Sequence, residues 1–161
     1  MSSETRIFPV DTNFQQMARR PGGITRDRAI ERAEGEITGV KAGFDDWLSR
    51  ELAELAAAFA AARDNPHDAK RLAEFKNRGR QIGDVTATMR FELLAFVAGS
   101  LCELLDSISA DAAFPVEPIA CHLDALNLSA RADFRALRPD QVPELTKGLR
   151  RVVEQRTTVG S

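Results

Sequence analysis

From Ile30 onward, apolar side chains recur at alternating spacings of three and four residues: Ile30, Ala33, Ile37, Val40, Phe44 and Trp47, continued by Leu48, Leu52, Leu55, Phe59 and Ala62. That period lays them along one side of an α-helix. Thr25 is placed to cap its start. An unbroken helix over 25–62 would be about 57 Å long at 1.5 Å per residue. Gly35, Gly39 and Gly43 fall on one i, i+4 row, where they weaken the helix and offer a bend or a close approach. Asn65-Pro66 signals a restart, with Asn65 as cap, Pro66 at the first helical position and Asp68 in the first turn. The second helix turns Leu72, Phe75, Ile82, Val85 and Met89 inward, with Gly79 and Gly83 interrupting it. The third, over 91–108, reads FELLAFVAGSLCELLDSI. It is the most apolar stretch and is expected at the centre of the core. A loop over 109–117 follows. Pro118 opens a fourth helix with Ile119, Leu123, Leu126 and Ala130 on one side, and Pro139 and Pro143 mark the restart before a last helix carrying Leu145, Leu149 and Val152.

Ahead of this body, residues 1–24 read as an extended arm. Pro9 and Pro21-Gly22-Gly23 break regular structure, while Phe8, Val10, Phe14 and Met17 would lie on the body. The predicted fold is all-α: an antiparallel, up-and-down bundle of four or five helices with a long first helix. The arm spans 1–24, the bundle 25–156 and a flexible tail 157–161.

Composition narrows the function. The chain has 161 residues, 22 Lys+Arg against 24 Asp+Glu, 29% charged and 43% hydrophobic residues. This describes one globular domain with no global pull toward nucleic acid or anionic membrane. With no Tyr and one Trp there is little for a base-stacking platform. No apolar run reaches the roughly 18 residues of a membrane span, and MSSETRIFPV has no apolar leader core, so a cytoplasmic location is expected. Cys102 and Cys121 are too few for a disulfide scaffold or a zinc site, and in their helical patterns they read as buried small apolar groups, not nucleophiles. Neither phosphate-binding glycine loops nor metal-binding or nucleophile motifs occur, so neither cofactor, metal nor enzymatic activity is expected. Glu103, Asp106 and Glu117 read as surface acids near helix ends.

Residues 80–105, RQIGDVTATMRFELLAFVAGSLCELL, resemble the core of the histidine-containing phosphotransfer (Hpt) domain. That family is a helical bundle that relays phosphoryl groups to response-regulator receiver domains. Its His-x-x-Lys-Gly signature is followed by small residues, an apolar residue and a glycine, then a helix of the form Leu-x3-Ala-x2-Leu. Val85-Thr86-Ala87-Thr88-Met89 fits the small-then-apolar run, Leu94, Ala98 and Leu101 fit the helix, and Ile82 fits the apolar position two after the histidine. The chemistry departs from the pattern. Arg80 stands at the histidine position, Gly83 at the lysine, Asp84 at the signature glycine and Arg90 at the later glycine. A guanidinium stays protonated and accepts no phosphoryl group. RIFPV, RPGGI and CHLDAL are also similar to a small helical protein encoded in alphaproteobacterial chemotaxis clusters.

The resemblance implies a non-catalytic signalling module that binds a receiver. The residues themselves suggest how. Lys70, Arg71, Lys76, Arg78 and Arg80 line the outer side of the second helix, with Arg90 beyond. A receiver's acidic pocket is complementary to such a face. Lys76, Arg80 and Arg90 are the expected docking residues, with Ile82 and Thr86 near the centre in the family's register; the alternative is a plain solvated helix face. His122 is either a relocated phosphoryl acceptor, which would make the chain an active phosphotransfer protein, or a proton-transfer residue, or else a boundary histidine with one hydrogen bond. His67 is expected to face solvent or cap. The first helix supplies another function. Its heptad-like stripe from Ile30 to Trp47 either packs on the later helices or pairs with a second copy, making a homodimeric adaptor.

Overall fold

A computed structural model describes residues 25–109 and 112–159. Among them the chain forms five α-helices and no strand. These are α1 (Arg26–Asp64), α2 (Ala69–Thr88), α3 (Glu92–Asp106), α4 (Val116–Ala130) and α5 (Pro143–Val159), with a 3-10 turn at Pro139–Gln141 ahead of α5. This is the all-α bundle that periodicity predicts. The expected arm over 1–24 lies outside the described residues, as do Gly160 and Ser161 at the end of the expected tail. α5 continues past 156, where the bundle was expected to stop. The chain divides into two units, Met1–Gly43 and Phe44–Ser161, with the boundary inside α1.

The helix starts follow their capping groups. Thr25 caps α1 as expected: the Arg28 amide donates to its Oγ1 at 3.4 Å. α2 starts later than the Asn-Pro pair suggests. Asp68 is its N-cap, accepting from the amides of Lys70 and Arg71 at 3.0 and 3.3 Å, and Asn65–His67 form a turn ahead of it. A carboxylate at the cap satisfies two orphan amides and meets the positive end of the helix dipole, which an asparagine three residues earlier does less well. α4 begins at Val116, so Pro118 sits within its first turn instead of opening it, where its missing N–H has no partner to lose. The glycines interrupt neither α1 nor α2. A Cβ on Gly35, Gly39 or Gly43 would meet nothing within 4 Å among the described residues, so that row mediates no close approach there.

In the Phe44–Ser161 unit, α3 is the axis. Eight of its residues are buried: Leu93, Leu94, Val97, Ala98, Ser100, Leu101, Leu104 and Leu105. It packs against α2, α4 and α5. α2 contributes Phe75 and Ile82, α4 contributes Ile119 and Leu126, and α1 contributes Leu48 and Leu55. Each such side chain contributes about 1.5–3 kcal/mol on full burial. α2 and α3 run antiparallel: a Cβ at Gly79 would meet Cys102 and Leu101, and one at Gly83 would meet Ala98.

Arg135, in the segment after α4, clamps this unit from one side. It ion-pairs with Asp45 and donates from Nη2 to the Ala130 carbonyl at 2.7 Å. Its guanidinium lies over the rings of Phe44 and Phe91, 5.6 and 5.8 Å from their centroids. The planar guanidinium can reach carboxylate and carbonyl with its N–H groups while its face lies on the rings, which suits this position better than a compact ammonium.

The α2–α3 link is a Schellman turn. The Phe91 amide donates to the Thr86 carbonyl at 2.9 Å and the Arg90 amide to the Ala87 carbonyl at 3.1 Å. Arg90 holds φ at 60°, the left-handed position that glycine favours. A non-glycine residue there carries about 1–2 kcal/mol of strain. Arg90→Gly is therefore expected to raise stability by about 1 kcal/mol in urea unfolding; a loss of stability would mean that the arginine side chain, and not the turn, dominates at this position.

Candidate interaction site on the α2–α3 hairpin

The expected docking residues divide into two groups by helical geometry. Phe75, Gly79, Ile82 and Thr86 form the buried stripe of α2. Ile82 and Thr86 are both fully buried. They therefore do not sit at the centre of a docking face, which corrects the expectation drawn from the family register. Spacings of four, three and four keep them on the stripe that meets α3. The Thr86 hydroxyl is satisfied within its own helix, donating to the carbonyls of Ile82 at 2.7 Å and Gly83 at 3.1 Å.

Lys76 and Arg80 lie one residue on from Phe75 and Gly79, which turns them about 100° away from the core. The Arg80 side chain is 51% exposed and that of Lys76 22%. Both reach Asp106, the last residue of α3: Arg80 Nη2 donates to Oδ1 at 2.9 Å, and Lys76 Nζ is 3.7 Å away. An acid at a helix C-terminus meets the negative end of the dipole, so these two cations offset an unfavourable placement. At this exposure the Arg80–Asp106 pair is worth about 0–1 kcal/mol.

The basic face is narrower than the sequence suggests. Arg78 turns toward α1, where it meets Glu51 at 3.6 Å and Glu54 at 3.3 Å as well as Glu74 at 3.5 Å. Arg71 pairs with the Asp68 cap at 3.3 Å. What faces water is Lys70 and Arg71 at the start of α2, Arg80 with Lys76 behind it, and Arg90 on the turn; Lys70 and Arg90 are exposed and have no ion pair among the described residues. Asp106 was legible only as a helix-end acid; the antiparallel pairing of α2 with α3 makes it the partner of Arg80.

Cys102 lies half-buried beside this cluster. Burial pushes its thiol up, Arg80 pulls it down, and Asp106, Asp84 and Glu103 push it up again. The net direction is upward, so the protonated form prevails and the residue is a poor nucleophile. Cys121 is exposed, against the expectation of a buried apolar group. The inward side of α4 is set by Ile119, His122, Ala125, Leu126 and Ser129, which turns position 121 outward.

His122 is fully buried. Its Nδ1 lies 2.8 Å from the Pro118 carbonyl, which can only accept, so Nδ1 carries the proton. Its Nε2 then accepts from the Ser100 hydroxyl at 2.9 Å. This is not a boundary histidine with one bond: both nitrogens are engaged and neither is presented to a phosphoryl donor. Ser100 was missed as its partner, although a serine among Val97, Leu101 and Leu104 in an apolar helix is a signal for a buried polar contact. His67 is exposed, as expected.

Among the described residues, no group of three or more His, Cys, Asp or Glu side chains could hold a metal ion, and no helix is long and apolar enough to cross a membrane. Compared with family models, with curated proteins and with solved structures, the chain matches none.

Burial lowers the basicity of His122, outweighing the hydrogen bond to Pro118 that raises it. The folded state therefore binds fewer protons than the unfolded chain once the pH falls below the ordinary histidine value of about 6.5. Stability is expected to be full above that value and to decline as the pH drops through and below it. Urea unfolding at a series of pH values checks this: His122→Asn should flatten the dependence between neutral pH and the carboxylate range. An equal slope in the variant would place the titration elsewhere.

Proposed function

We propose that this chain is a non-catalytic helical signalling module that docks a response-regulator receiver domain through the α2–α3 hairpin, in a two-component or chemotaxis-type phosphorelay. Arg80 carries the reading. It stands where the resemblance to the Hpt domain puts the phosphoryl-accepting histidine, on the solvent side of α2, with its side chain half in water. A receiver presents a cluster of carboxylates around its phosphorylation site, and a guanidinium fork matches carboxylate or phosphoryl oxygens.

The Asp106 pair supports this reading. It holds Arg80 in place, yet its low worth lets an incoming carboxylate replace it at little free-energy cost. Arg90 supports it too. An arginine at a left-handed position, where glycine fits better, fits a use of its side chain. Because Arg80 cannot accept a phosphoryl group, docking would shield the receiver or favour one of its states, in competition with true phosphotransfer partners.

Affinity for purified receiver domains, with and without phosphorylation, tests this. Lys76→Glu with Arg80→Glu is expected to abolish binding, and Asp106→Asn to tighten it several-fold by freeing Arg80. Arg90→Gly should weaken binding while leaving the fold intact. No phosphoryl group should appear on His122. Unchanged affinity in the double variant, with its helix content intact, contradicts the proposal.

A further inference from the structure

We infer that residues 26–43 of α1 pair with the same segment of a second copy of this chain as a parallel, two-stranded coiled coil. This is independent of receiver docking. Ile30, Ile37 and Val40 are 45%, 54% and 60% exposed, a row of large apolar side chains left in water. With Ala33 they follow a heptad: Ile30 and Ile37 at a, Ala33 and Val40 at d. β-branched isoleucine at a favours two parallel strands.

Charge selects the occupant. The segment carries Arg26, Arg28, Arg32 and Lys41 against Asp27, Glu31, Glu34 and Glu36, so its formal charge is zero and two copies do not repel. In parallel register, Glu36 at g of one copy meets Lys41 at e of the other, twice by symmetry. In an antiparallel register Glu34 and Glu36 would each oppose their own copies. Glu36 is held in a loose pair with Arg32 at 3.5 Å, both side chains 72% exposed, and is free to turn to a new partner. The segment is 27 Å long at 1.5 Å per residue, little more than two heptads, so the association is weak, with a dissociation constant on the order of 10–100 µM.

Sedimentation equilibrium of the full chain up to roughly 300 µM tests this. The wild type should reach a dimer, and Ile37→Asp should stay monomeric over the same range with unchanged helix content and unfolding midpoint. Glu36→Lys should weaken the dimer roughly five-fold, and adding Lys41→Glu should restore it, since the swapped pair re-forms only in the parallel register. A wild type that stays monomeric overturns the inference. So does a dimer that survives Ile37→Asp, which would place the interface elsewhere. A double charge variant no tighter than Glu36→Lys overturns the parallel register.

Discussion

The burial of α3 constrains the rest of this structure. More than half of its residues are removed from water, which no single neighbour can achieve; α2, α4 and α5 all close on it. The apolar length of the helix sets this requirement, and the helices around it are less apolar stripes that each cover one side. Where α3 carries a polar group inward, the surroundings must answer it. Ser100 is that group, and His122 from α4 answers with Nε2 while Pro118 takes the Nδ1 proton. The histidine is thereby committed to a neutral form and to one tautomer. Its chemistry is used up in satisfying the core, as is usual for a buried polar group.

The same antiparallel packing decides the hairpin's surface. Because α3 returns alongside α2, its C-terminal carboxylate arrives beside Lys76 and Arg80. Two cations meet one acid at a helix end, with Asp84 and Glu103 nearby, so this is a mixed charge cluster and not a bare basic stripe. The turn that allows this return places Arg90 in a conformation suited to glycine. Asp106 needs the cations, and Arg80 keeps half its side chain in water while Lys76 is mostly covered.

Much of this was legible in the sequence. The three-and-four spacing gave the helices and the apolar run of 91–108 gave the axis, because both depend on local periodicity. What failed depended on rotation and on pairing. Ile82 and Thr86 were assigned to a surface through a family register, although their own spacing from Phe75 and Gly79 turns them inward. Cys121 reads as a buried apolar group from its place in a helical pattern, yet it lies one residue, about 100° of helix, from the inward His122 and faces out. Arg78 looked like part of an outer basic side, and only the approach of α1, bringing Glu51 and Glu54, reveals it as an interhelical link. Ile30, Ile37 and Val40 continue the same stripe as Phe44 and Leu48 but stay exposed. Periodicity reports which side is apolar, not what covers it.

The central claim is that the α2–α3 hairpin presents a docking face whose charged residues point outward while its register neighbours are core. The most direct measurement is an amide NMR titration of the isotopically labelled chain with an unlabelled receiver domain. The account predicts shifts concentrated at Lys76, Arg80, Arg90 and Asp106, with Ile119 and Leu126 on the far side of α3 unmoved. Shifts confined to α5 or to residues 26–43, with α2 silent at saturation, would contradict it.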